Sequence, residues 1–380
     1  MDAIVTDVDV SSAVAGLRAL GRRGIRTLAV GPRRHAGGMW SRYAAAAAVA
    51  SDVLVEPEEF AVEVAALAGT HQDPVVYPGR EESIDALVGA DSLFPRPRTP
   101  YPDRRALALI RDKRALGALA REGGLDVPSR IAELPAGELP RVDGPFPLVA
   151  KPAHPGAVLR TAKLVRSREA LRSLAASLPA ELPVLVQEYS RGPQVGLALV
   201  LEPGGRVVER FQQEVHRTWP LHGGGTSLAM SVMADRDLVT RAAAMLGAAG
   251  YWGLAQLDLI RTPDGYQVID VNPRFYTSLP LATACRVNLP AAWHAVLDQG
   301  AWDGPTDYRV GVRYRWLEAD LSVLRHRWRP LWGRKAGALW DGRDPVPTTL
   351  MAADAAGRRV AAFVDAKLAR PAARKVEGVV

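Results

Sequence analysis

The chain has 380 residues with ordinary globular composition (48% apolar, 23% charged), so it is long enough for two or three domains. Its single cysteine, Cys285, excludes an internal disulfide and a multi-cysteine metal site. The formal net charge of +7 is uneven: residues 301–380 hold 15 Lys+Arg against 9 Asp+Glu. The basic excess therefore belongs to the tail and says little about the substrate of the body. The acidic opening with Asp2, Asp7 and Asp9 does not read as a signal peptide, and no apolar run is long enough to span a bilayer, so a cytoplasmic location is expected.

Apolar clusters and spacing predict a strand over 3–5, a helix over 13–22 and a strand over 27–30. Two further strands are expected over 53–55 and 75–77, with a helix over 58–67 between them. The alanine run at 44–48 reads as low complexity. Alternating strands and helices imply a parallel sheet with ligands at the strand ends. The proline-rich stretch 94–102 is a boundary. One helix is expected through Leu107, Ile110, Leu116 and Leu119. Strands over 146–151 and 161–165, a helix over 168–176 and a strand over 184–188 follow. Then come strands over 196–201 and 206–213, a flexible loop over 222–226 and a helix over 235–249. A final hairpin, 254–260 with 266–271, turns on Thr262-Pro-Asp-Gly265. Cys285 reads as a buried helix residue rather than a nucleophile.

Asp258 falls within the first hairpin strand and Asp270 near the end of the second, with Asn272 two residues on. The last two share a strand face, and antiparallel pairing can add Asp258. Three hard oxygens on a rigid face suit Mg²⁺. Arg274 follows on the same parity, and its planar fork suits a phosphoryl group or an acyl phosphate.

The pattern Asp258…Asp270-Val-Asn272-Pro-Arg274 resembles the metal-binding end of the ATP-grasp superfamily, which usually has Glu where this chain has its two Asp residues. Supporting motifs occur in family order. Asp112-Lys113 is similar to the opening of the ATP-grasp region. Lys151, in Leu-Val-Ala-Lys-Pro, resembles the lysine on the α- and β-phosphates. Val186-Gln187-Glu188-Tyr189 resembles the adenine-reading hinge. Gly223-Gly224-Gly225-Thr226-Ser227 resembles the loop over the reacting groups. Gln194 stands where many members carry a ribose-binding carboxylate, a contact that Glu188 could make instead. The loop after Lys151, with Gly156 its one glycine, is poorer in glycine than usual.

The resemblance implies an α/β (α+β ATP-grasp) fold: an N-terminal parallel pre-ATP-grasp domain (1–98), a lid subdomain (99–192), a metal-binding subdomain (193–300) and a basic Trp-rich extension (301–380). It implies ATP with Mg²⁺ or Mn²⁺ as cofactors. Asp258, Asp270 and Asn272 would hold the metal, and Lys113, Lys151 and Arg274 the phosphates. The implied activity is a carboxylate–amine ligase working through an acyl phosphate on small molecules, an amino acid or peptide among them. No nucleic acid is expected, and homo-oligomerisation is compatible. A bicarbonate-activating carboxylase or carbamoyl-phosphate ligase and a non-catalytic nucleotide-binding scaffold stay open as alternatives.

His216, Arg217 and His222 read either as ligands for the substrate carboxylate or as polar residues of a surface loop. His154 reads as structural or solvent-facing. Ser41-Arg42-Tyr43 and Gly79-Arg80-Glu81-Glu82 are candidate substrate contacts. In the tail, Leu317, Leu321, Leu324 and Trp328 form a helical stripe flanked by Arg325, Arg327 and Arg329. It either packs on the body, the favoured outcome, or lies on an anionic membrane surface. Residues 368–380 are expected to fray.

Overall fold

A computed structural model describes residues 1–90, 99–153, 162–220, 224–298, 300–302, 304–305, 307–316, 319 and 340–368. Three sheets organise them. The first is parallel, in the order β3-β2-β1-β4, from β1 (Ala3–Val5), α1 (Ser11–Gly21), β2 (Thr27–Gly31), β3 (Ala44–Val49), α2 (Pro57–Gly69), β4 (Val75–Tyr77) and α3 (Glu81–Gly89). Two short helices, α4 (Arg104–Arg111) and α5 (Leu116–Glu122), lead to the second sheet. That sheet is antiparallel, in the order β5-β8-β6-β7, from β5 (Arg130–Pro135), β6 (Leu148–Pro152), β7 (Lys163–Val165), α6 (Arg168–Ala176) and β8 (Pro183–Glu188).

The third sheet has six antiparallel strands in the order β13-β12-β9-β10-β11-β14. It is built from β9 (Gln194–Leu201), β10 (Val207–Trp219), β11 (Gly225–Val232), α7 (Arg236–Ala248), β12 (Gly253–Thr262), β13 (Gly265–Asn272), α8 (Leu279–Ala284), α9 (Leu289–Leu297) and β14 (Arg313–Arg315). A last helix, α10 (Pro345–Leu368), follows. Among the described residues no helix is long and apolar enough to cross a membrane.

Local signals account for many of these elements. Side-chain oxygens of Asp103, Ser167, Asp235 and Asn288 cap α4, α6, α7 and α9. Pro263 and Asp264 form the turn between Thr262 and Gly265, which pair across it.

Several expectations are corrected. Residues 53–55 form a turn, not a strand: the Asp52 carboxylate accepts from Leu54 N (3.0 Å), and only Val53 of the three is buried. The strand beside β2 is the alanine run itself. An edge strand of alternating half-buried residues needs backbone pairing more than bulky side chains. The expected helix through Leu107 and Leu119 is two helices. Asp112 adopts ψ 110° and its carboxylate accepts from Arg114 N (2.8 Å), which stops α4. Gly225 and Thr226, expected in a flexible loop, open β11. Leu317, Leu321, Leu324 and Trp328, with Arg325, Arg327 and Arg329, lie outside the described residues, as do 91–98, His154, Gly156, His222, Gly223 and 369–380.

An aromatic cluster fastens the first sheet to the third. Tyr77, at the end of β4, stacks on Phe275 (5.5 Å), and Trp293 of α9 meets both edge-on (5.1 and 5.9 Å). The Tyr77 hydroxyl hydrogen-bonds His294 Nδ1 (2.9 Å), and Trp293 donates to Pro100 O (3.1 Å). Gly16 of α1 lies so close to Phe275 that a Cβ there would sit 2.2 Å from the ring.

The tail meets both ends of the molecule. β14 pairs with β11 and forms the edge of the third sheet, while the start of α10 docks on the parallel sheet. Arg18, buried on α1, donates to Asp344 Oδ2 (2.8 Å). The same carboxylate accepts from Ser41 Oγ (2.7 Å) and Arg42 N (2.9 Å), and Arg22 pairs with Asp341. Ser41 and Arg42, candidate substrate contacts by sequence, are thus engaged by the tail.

Asp344→Ala leaves the buried Arg18 without its carboxylate. The expected cost is about 3 kcal/mol, read as a lower urea midpoint for unfolding. An unchanged midpoint would show that this anchor contributes nothing.

Candidate active site

A cavity of about 580 Å³ opens between the second and third sheets. Its lining includes twelve of the residues singled out from sequence: Asp258, Asp270, Asn272 and Arg274 around β12 and β13; Lys113 and Lys151; Gln187, Glu188, Tyr189 and Gln194; and His216 with Arg217 on β10, but not the candidate substrate contacts at 41–43 and 79–82.

The hairpin register organises its centre. Asp258 lies directly opposite Asp270, and Gln256 opposite Asn272, so four polar side chains share one face. Gln256 is the member that the sequence reading missed. It donates to Asp258 Oδ1 (3.0 Å) and accepts from Asn272 Nδ2 (2.9 Å). Asn272 Nδ2 also approaches Asp258 Oδ2 (3.4 Å). The alternation of polar residues at 256, 258, 270 and 272 carried that signal. Burial, with the nearby Asp270 charge, pushes the Asp258 carboxyl up to about 6, against hydrogen bonds from Gln256 and Asn272 and the field of Arg274.

Cations face this pair. Lys151 sits near the end of β6, 6% exposed, with Nζ donating to Ile269 O (3.1 Å). Burial, reinforced by Lys113, lowers its ammonium to about 8, while Asp270 pulls the other way. Lys113 lies in the break between α4 and α5, with Nζ 3.8 Å from Asp270 Oδ1. The Asp112 turn that ends α4 is what brings it there. Arg274 donates from Nε to Glu81 Oε1 (2.7 Å) and from Nη2 to Asn272 Oδ1 (3.3 Å).

At one end of the cavity the hinge residues close β8. Gln187 spends its amide on Pro128 O (2.9 Å), a structural bond, while Glu188 and Tyr189 are exposed and Gln194, opening β9, is half-buried. At the other end, Arg217 donates to Ser227 Oγ (3.0 Å). Burial and the neighbouring Arg315 hold its guanidinium below the usual range. Two close guanidiniums favour an anion there. His216 is exposed.

Among the described residues no three His, Cys, Asp or Glu side chains gather as a metal cluster. The donor set is therefore two carboxylates, which with added waters and phosphate oxygens fit Mg²⁺; the Asn272 amide oxygen accepts from Arg274 (3.3 Å) and would join them on turning the amide. A buried lysine whose ammonium, among the described residues, hydrogen-bonds a backbone carbonyl fits the phosphates that would neutralise it.

The Asp258 proton gives a testable pH signature. Its folded value near 6 exceeds the ordinary carboxylate value of 3.8, so protonation stabilises the fold below about 4 and that contribution is lost as pH rises through 6. Asp258→Asn removes the loss, so its stability relative to wild type should rise by about 1–3 kcal/mol between pH 4 and 7. Added Mg²⁺, which needs the carboxylate, should stabilise wild type at pH 7 and not this variant. Parallel stability curves for the two proteins would refute the assignment.

No protein-family model matches the chain, and no curated protein matches it. Solved structures do. The biotin carboxylase of Campylobacter jejuni, in a nucleotide complex, superposes with a TM-score of 0.61 at 13% identity, covering 82% of this chain and 74% of its own. The ADP complex of N5-carboxyaminoimidazole ribonucleotide synthetase gives 0.63 at 14%, covering 85% and 83%. The L-amino acid ligase of Bacillus licheniformis gives 0.58 at 15%, covering 78% and 74%. With its parallel sheet followed by two antiparallel sheets flanking the cleft, the chain has the ATP-grasp fold.

Proposed function

We propose that the chain is an ATP-dependent carboxylate–amine ligase. The observation that carries this reading is the facing pair Asp258 and Asp270, with Asn272 beside them and the buried Lys151 across the same cavity. Nucleotide would lie between residues 99–192 and 193–300, its adenine against the 186–189 hinge and its ribose near Gln194 or Glu188.

Asp258, Asp270 and Asn272 hold Mg²⁺ in this reading. The bound ion neutralises phosphate charge and steadies the leaving oxygen. Lys151 and Lys113 bind the phosphates, and Arg274 stands ready for the charge that develops on the transferred group. Arg217, with the exposed His216 as its neighbour, receives the substrate carboxylate. A carboxylate oxygen attacks the γ-phosphorus, the bond to the β-phosphate breaks and ADP leaves. The amine nitrogen then attacks the acyl carbon, the bond to phosphate breaks, the departing phosphate takes the amine's proton, and amide and phosphate result. Small molecules such as amino acids or peptides fit a cavity of this size. The likeness to a biotin carboxylase supports a second reading, in which bicarbonate takes the carboxylate's place. Phosphate release driven by carboxylate plus amine, against release driven by bicarbonate, separates the two.

Asp270→Asn should lower ATP-dependent phosphate release by about a hundredfold or more while leaving circular dichroism unchanged. Lys151→Ala should weaken nucleotide binding more than Lys113→Ala, because its strand-end position is the more rigid. Near-normal turnover in Asp270→Asn would remove the reading.

A further inference from the structure

The β-hairpin does not by itself determine where the Arg274 guanidinium points. Arg274 lies two residues past the end of β13, and three bonds fix its head. Nε donates to Glu81 Oε1 (2.7 Å), Nη1 to Phe275 O (3.1 Å) and Nη2 to Asn272 Oδ1 (3.3 Å). Glu81 comes from the parallel sheet's side of the molecule, 193 residues away, as the first residue of α3.

Glu81 is itself held from behind. Its second oxygen accepts from Arg111 Nε (3.0 Å), and Arg111 Nη1 pairs with Asp85 Oδ1 (2.7 Å), one turn along α3. Arg111 is nearly buried, with a side chain 9% exposed. The carboxylate is thus locked between two guanidiniums, facing one at each oxygen.

What Glu81 prevents matters as much as what it holds. Asn272 Nδ2 lies 3.4 Å from Asp258 Oδ2, so the Asn272 amide bridges the Arg274 fork and Asp258. A guanidinium freed from Glu81 has a long flexible stem and two carboxylates within one side chain's reach. Bidentate pairing with carboxylate is its preferred geometry. That collapse would occupy the oxygens a divalent cation needs.

We propose that Glu81 is a positioning residue that holds Arg274 beside the Asp258–Asp270 pair and off it, keeping both carboxylates open to a divalent cation. The assignment rests on the ligase reading of the same cavity. It turns a sequence candidate for substrate contact into a residue acting through another.

The test is calorimetric binding of ADP with and without Mg²⁺, which needs no knowledge of the acceptor substrate. Glu81→Gln keeps the shape and removes the charge. It should weaken Mg²⁺-dependent ADP binding about tenfold, the scale for outer-shell partners of metal ligands, and leave metal-free ADP binding within about twofold. In an Arg274→Met background the same substitution should cause no further loss, because the competing guanidinium is gone. A merely structural clasp would lower the melting temperature in both backgrounds without this selective effect. Glu81→Asp, which keeps the charge with a shorter reach, should fall between wild type and Glu81→Gln, and carries the comparison should the amide variant not fold. Unaltered Mg²⁺-dependent binding in the Glu81 variants, or an equal loss with Arg274→Met, overturns the proposal while leaving the ligase reading intact. Wild type that binds ADP with no help from Mg²⁺ overturns the ligase reading, and the proposal with it.

Discussion

Two carboxylates set directly across an antiparallel pair repel each other, and the rest of the cleft answers that constraint. Asp258 faces Asp270 because the β12–β13 register places them so. Like charges in this position are destabilising unless something compensates. Here Gln256 and Asn272 donate to one carboxylate, Lys113 approaches the other, and Arg274 and Lys151 stand close by. The raised proton affinity of Asp258 comes first from its burial and then from the Asp270 charge. In the proposed reading a divalent cation at the two carboxylates would relieve that repulsion.

The cations come from separate parts of the chain. Lys151 ends a strand of the second sheet, Lys113 sits in a helix break, and Arg274 follows the hairpin. The aromatic cluster of Tyr77, Phe275 and Trp293 makes their agreement possible, because it fixes the end of β13 against the parallel sheet. Glu81 can reach Arg274 only because β4 and Phe275 are packed together. The hydrophobic contact and the ion pair are two layers of one joint.

What could be read in the sequence follows the range of the signal. The hairpin was legible because strand alternation and the turn at Pro263-Asp264 are local. So was α6, with Ser167 as its cap. The four polar positions 256, 258, 270 and 272 were within reach of the same alternation, yet the role of Gln256 is to bond Asp258 and Asn272 side chain to side chain, which only the strand register reveals. The alanine strand β3 was not legible: its side chains give no strand preference, and its pairing with β2 alone defines it. The break at Asp112 lies in the charged run Arg111-Asp112-Lys113-Arg114, between apolar residues whose spacing on either side reads as one helix. Glu81 with Arg274 and Arg18 with Asp344 join residues 193 and 326 positions apart, and no window along the chain contains both partners.

That last pairing has a temporal side. Arg18 is made 326 residues before Asp344. At roughly 5–20 residues per second, about 16–65 s separate their synthesis. During that interval α1 carries a cation on the face it will bury, with its eventual carboxylate not yet made. Burial of that cation against its carboxylate therefore waits until Asp344 has been made. Protease protection of stalled chains, with and without residues 340–368, would read that order directly.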